Sequence, residues 1–180
     1  MDQLAAHLRA QDVFGSVLAN AAPERLSAPS PCQGWDAQGV IDHVVAGNQL
    51  VLRRAGLEPV PLPDDARAAH SQSAAAAHAV FAAPGGLTRV FDTAAGSIPG
   101  TVFISLRTID ALVHGWDLAV ATGQRADLDP ELAAELLVVA KQLMSPQFRG
   151  PGRSFADEQP CPDDRPPADQ LAAFLGRAIG

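Results

Sequence analysis

Residues 101–122 read TVFISLRTIDALVHGWDLAVAT, the strongest helical stretch in the chain, with Gly123 behind it as a stop signal. On a helical wheel Val102, Leu106, Ile109, Val113 and Val120 line one broad side, and Leu112 and Trp116 lie opposite a polar stripe. That stripe is Arg107, Asp110, His114 and Asp117, and it shares its face with Phe103 and Leu118. A helix apolar on most sides is a core helix. Charges on such a helix must pair with one another or bind a metal, because an isolated buried charge is very costly.

Within the stripe, Asp110 and His114 stand four residues apart, one above the other on the helix face. A carboxylate and an imidazole so placed supply two of the three protein ligands of an open metal site. The spacing alone leaves a second reading: an Arg107–Asp110 ion pair beside a solvated histidine. A further histidine comes from the segment after Asp36. There Val40, His43, Val44, Gly47, Leu50 and Val51 form an inward stripe, and Asp42, Gln49 and Arg53 an outward one. His43 is either a hydrogen-bonded packing residue or a third ligand brought level with Asp110 and His114.

Working outward, residues 2–20 read as a helix, with Leu4, Leu8, Val13, Val17 and Leu18 near helical spacing. The loop SAPSPCQG at 27–34 precedes a second helix over 36–55, whose Asp36 suits a helix start. GLEPVPLP at 56–63 is a proline-rich connection, followed by an alanine-rich helix at 64–83. Residues 84–100 break the pattern around an extended piece, LTRVFDT. After the 101–122 helix, Pro130 opens another to about Leu143. Residues 145–167 read as irregular, and a short helix covers 168–177. These elements predict one all-α domain spanning 1–180: a bundle of four main helices with short extra helices and at most a small extended segment.

Composition narrows the partners. The net charge of −7 speaks against nucleic acid, which needs a basic patch, and against anionic membrane surfaces. No apolar run is long enough to cross a bilayer, and the charged opening MDQLAAHLRAQD is unlike a secretory signal. A cytoplasmic location is expected. Cys32 and Cys161 are too few and too far apart for a disulfide framework or a zinc knuckle. One lysine among 13 basic residues, with abundant alanine, points to a GC-rich, actinobacterial type of genome.

Two segments, SPCQGWDAQGVIDHVVAGN at 30–48 and TIDALVHGWDLAVATGQ at 108–124, resemble the DinB-like, mycothiol-dependent maleylpyruvate isomerase superfamily. They occur in that superfamily's order, and the likeness extends to the closing AAFLGR. The resemblance implies an up-and-down, DinB-like four-helix bundle with one divalent metal, zinc by preference, held by His43, Asp110 and His114. The isomerase itself has glutamate where this chain has Asp110, one methylene shorter. The resemblance further implies a low-molecular-weight thiol as cosubstrate, mycothiol in actinobacteria, with the metal-activated thiol attacking a small-molecule electrophile. The outcome is isomerisation or S-transfer. The full-length isomerase carries a second domain where this chain has a short tail after residue 145, which speaks against maleylpyruvate as the substrate. The alternatives are a non-enzymatic metal or small-ligand binding module, and a metal-dependent hydrolase. A homodimer is left open.

Arg107, one turn from Asp110, is the candidate catalytic residue, able to bind a substrate carboxylate; a structural ion pair is the other reading. Asp117 either orients His114 or ties the helix to the loop around Trp35. Trp35 and Trp116 read as packing anchors. His78 is a reserve ligand or a surface residue, and His7 and His70 have no assignable partners. Cys32 reads as structural, away from the face that carries His43 or the Asp110–His114 pair.

Overall fold

The computed structural model describes residues 2–93, 96–144, 149–150 and 156–180. Among them the chain forms α1 (Gln3–Asn20), α2 (Ala37–Arg54), α3 (Ala66–Ala82), β1 (Val90–Thr93), β2 (Gly96–Pro99), α4 (Gly100–Thr122), α5 (Pro130–Leu143) and α6 (Pro167–Phe174). Aspartates start four of these helices. Asp2, Asp36, Asp65 and Asp129 each accept a hydrogen bond from a backbone N–H of the first turn. Gly123, at φ +75°, ends α4 in the left-handed conformation that glycine adopts without strain. The chain is mostly helical, as its periodicity predicts.

Most of α4 is buried, as an apolar helix must be. It packs against α1 and α2 on one side and α5 and α6 on the other, and α3 closes the far side by packing on α1 and α2. Gln3 donates to Thr101 O, and Gln124 donates to Val17 O, so α1 and α4 run in the same direction. His7 meets His78 and Gln11 meets His70, so α3 runs opposite to α1. His43 meets Asp110, and Gly47 faces Arg107, so α2 runs opposite to α4. The long helices therefore run up, down, down, up, which departs from the strict alternation expected from the family resemblance. The proline-rich segment 55–65 permits this. Extended at up to ~3.3 Å per residue, it covers the ~27 Å rise of an 18-residue helix.

The LTRVFDT piece supplies β1, which pairs antiparallel with β2, Phe91 opposite Ile98. Phe91 is buried, its ring centroid 4.9 Å from that of Phe103 with the two planes tilted. The hairpin thus caps the end of the helical core where α3 finishes and α4 begins. Residues 145–148 and 151–155 of the expected irregular segment lie outside the described residues. No helix among the described residues is long and apolar enough to cross a membrane.

The interior contains a polar layer that periodicity did not resolve. Gln49, expected to face outward, is buried, and its side-chain amide brackets Val60 by donating to its carbonyl (2.6 Å) and accepting from its N–H (3.1 Å). This pins the proline-rich crossover to α2. His70 donates to Gln11 Oε1 (2.9 Å), and Gln11 donates to Asn48 Oδ1 (3.0 Å). His7, fully buried, stacks on half-buried His78 with 3.4 Å between their Nδ1 atoms. Burial first, then His78 and Arg107, lower the His7 pKa to about 3. Burial likewise lowers His70 to about 4.

Candidate metal centre

The antiparallel approach of α2 to α4 sets His43 against the turn of α4 that carries Asp110 and His114. One ligand atom from each residue lies within 4.8 Å of the others. Asp110 Oδ1 is the meeting point, 3.2 Å from His43 Nε2 and 3.6 Å from His114 Nε2. The two imidazole rings stand edge to face, 4.6 Å between centroids. His114 is buried, whereas His43 keeps 34% and Asp110 23% of its side chain exposed. His43 therefore faces this opening rather than the apolar core. Trp35 leans over both rings, 4.6 Å from His43 and 5.6 Å from His114, and walls the opening.

The protonation pattern follows from the neighbours. His114 Nδ1 lies 2.9 Å from Asp117 Oδ2. Burial raises the Asp117 carboxyl pKa, but hydrogen bonds from His114 and Arg177 outweigh it and hold it below the ordinary carboxylate range. An ionised carboxylate only accepts, so Nδ1 of His114 carries a proton toward Asp117 and Nε2 is the ring atom turned toward Asp110 Oδ1. At 3.6 Å the two atoms stand close enough to share one proton or one cation. Asp110 is likewise ionised: burial raises its pKa, and Arg107, His114 and His43 together pull it well below the usual range. Two imidazoles and a carboxylate, partly open to solvent, match the donor set of a divalent metal with an open coordination position.

Arg107 approaches the other side of the same carboxylate, Nη2 to Oδ2 3.0 Å. It is buried, its Nε and Nη2 and the facing Oδ2 lack a well-aligned hydrogen bond, and its guanidinium occupies a niche opposite Gly47. A β-carbon at residue 47 would stand 2.6 Å from Arg107 Cζ. The ion-pair reading of Arg107 thus has a direct geometric counterpart, and the pair and the His43–His114 cluster share Asp110.

Several other residues are placed differently from the sequence expectation. His78 is away from the cluster and pairs with His7, which along with His70 has partners after all. Asp117 does orient His114, and it ties α4 to Arg177 in the closing segment rather than to the Trp35 loop. Trp116 anchors α6 by donating to Asp169 Oδ1 (2.8 Å).

Cys32 is the largest departure. The loop before α2 folds back through Ser30 N–H to Trp35 O (3.0 Å) and Ala37 N–H to Ala28 O (2.9 Å). That fold places Cys32 beside His114 and Asp117, with one ligand atom of each within 4.8 Å of the others. Long-range loop return leaves no periodic trace, so the sequence did not carry it. Asp117 is already held by His114 and Arg177, which disfavours this second trio as a metal site. Burial pushes the Cys32 thiol pKa up, with Arg177 opposing, so the sulfur is a protonated neighbour rather than a thiolate.

The chain belongs to the mycothiol maleylpyruvate isomerase N-terminal domain family, which matches residues 7–99. The matched span runs from within α1 to the end of β2, with Cys32, Trp35, His43 and Gly47; α4 lies beyond it. Among full-length relatives are the uncharacterized proteins Rv0738 of Mycobacterium tuberculosis strain H37Rv and MT0763 of strain CDC 1551. Each is 57% identical over 181 residues, which covers 99% of this chain and all of the relative. No solved structure matches.

Proposed function

We propose that this protein is a mycothiol-related metalloprotein in which His43, Asp110 and His114 hold one divalent ion, zinc by preference, within a DinB-like four-helix bundle formed by α1–α4. The supporting observation is the convergence of three ligand atoms, with Asp110 Oδ1 3.6 Å from His114 Nε2 and 3.2 Å from His43 Nε2. A bound divalent ion would supply the field that keeps a coordinated thiol ionised at neutral pH. The protein's part is to aim the donors. Asp117 holds the His114 tautomer, Arg107 holds Asp110 from behind, and Trp35 shields one flank of the opening. The shorter reach of Asp110, relative to the family's glutamate, is matched by the position of His43 within hydrogen-bonding distance of it.

The reaction class that follows is addition of an external thiol, mycothiol or a similar low-molecular-weight thiol, to the electrophilic carbon of a small molecule. Release of the thiol after rearrangement gives isomerisation; retention gives S-transfer. In this reading Arg107 acts on an electrophile's carboxylate only insofar as it can leave Asp110, and its first role is to balance that residue's charge. The whole chain works as one cytoplasmic domain. The experiment is metal analysis of the purified protein, followed by a screen of thiol–electrophile pairs with each component withheld in turn. Metal binding without turnover for any pair would favour a binding module, and turnover without thiol would favour hydrolysis.

A further inference from the structure

Asp117 is fully buried and has a partner on its other side from the very end of the chain. We propose that Arg177 is a positioning residue for the metal centre, fixing His114 through Asp117. The proposal rests on the metal-site reading above.

The local structure explains how a residue so near the C-terminus comes to lie there. Helix α6 ends at Phe174, and Gly176 then turns the chain with φ +92°, a left-handed conformation suited to glycine. The turn is closed by Arg177 N–H donating to Ala172 O at 3.0 Å. A β-carbon at residue 176 would overlap the side chain of Ala156 and come within 3.3 Å of its Cα, so the tight return requires glycine for its space as well as its φ. The return sets Arg177 against α4. Its Nη2 donates to Asp117 Oδ2 (2.8 Å) and its Nε to Asp117 Oδ1 (3.2 Å), and Nη1 is anchored on Leu175 O (2.9 Å).

This is a bidentate guanidinium–carboxylate fork, which fixes the plane of the carboxylate and its charge together. The same Oδ2 accepts from His114 Nδ1 at 2.9 Å. With its carboxylate locked, Asp117 holds the imidazole in one tautomer and one orientation, so that Nε2 is aimed at Asp110 Oδ1. Carboxylates behind metal-ligating histidines set ligand geometry and basicity in this way. Here the carboxylate is itself set by an arginine from another element. Arg177 therefore acts through Asp117 on a centre built from α2 and α4. The AAFLGR segment thereby acquires a role: it delivers a guanidinium to the back of His114. Removal of the fork would leave a buried carboxylate compensated by His114 alone and free to rotate with it.

The test titrates Co²⁺ into the full-length protein, its Arg177→Ala and its Arg177→Lys variants, following the visible ligand-field bands, with thermal unfolding recorded in parallel. Arg177→Ala is expected to bind about 10–100-fold more weakly than the parent, with altered bands, as for loss of other residues behind a metal ligand. Arg177→Lys keeps the charge without the planar fork and is expected to recover part of the affinity. An alanine variant that binds Co²⁺ as tightly as the parent, with the same spectrum, would overturn the proposal. If the alanine variant fails to fold, the lysine variant decides: weaker binding than the parent supports the fork, and equal binding overturns it. A parent protein that binds no Co²⁺ would instead overturn the metal-site reading itself.

Discussion

Gly47 and Arg107 fit one another across the α2–α4 contact: the guanidinium fills the volume that a side chain at residue 47 would need, with Cζ only 2.6 Å from an ideal β-carbon position. Gly47→Ala should therefore evict Arg107 and separate it from Asp110. An expected cost of about 1–3 kcal/mol follows from overpacking a filled interior, measurable by urea unfolding. Weaker metal binding should accompany it, since Asp110 would lose its rear support. Unchanged stability together with unchanged metal affinity would show that the niche is not needed.

The buried histidines make the fold acid-sensitive. His7, with a folded pKa of about 3, and His70, at about 4, stay neutral in the folded chain but take up protons near pH 6.5 when unfolded. Below pH 6.5 the unfolded state binds more protons, so stability falls as pH falls, down to the folded pKa values. Above that pH the two residues contribute no pH dependence. The depressed Asp110 and Asp117 act in the same direction at lower pH. Unfolding free energy measured from pH 7 to 4 should drop by a few kcal/mol, and His70→Gln should flatten the curve. A parent curve flat over that range would contradict the burial of these groups.

Catalysis, if the thiol reading holds, should need an external thiol. Cys32 sits close to His114, but its thiol is held protonated by burial, so Cys32→Ala should retain thiol-dependent turnover within a few-fold. The measurement is the rate with a named electrophile at saturating thiol, for parent and variant. Loss of all turnover in a folded Cys32→Ala protein would move the nucleophile to Cys32.

Much of this was legible from α4 alone. A helix apolar nearly all round had to be central, and its four polar residues had to find charged partners within the core. Periodicity placed His43 and Gly47 on the inward stripe of α2, and it separated six helices and the extended piece that supplies β1, but not its partner β2. It failed where contacts join distant chain segments. Gln49 looked solvent-facing because the crossover that buries it has no helical period. Cys32 and Arg177 reach the site through a loop and a glycine turn, whose return paths depend on tertiary packing. The direction of α3 was hidden for the same reason: only contacts, not spacing, say which way a helix runs.

In the proposed centre His43, Asp110 and His114 share one metal ion. The most direct measurement is the metal content of purified protein after dialysis against zinc, for the parent and for His114→Ala, with circular dichroism as a check on folding. One equivalent is expected in the parent and essentially none in a variant that remains helical, because a core of this size folds without a metal staple. Undiminished metal in His114→Ala, or none in the parent, would contradict it.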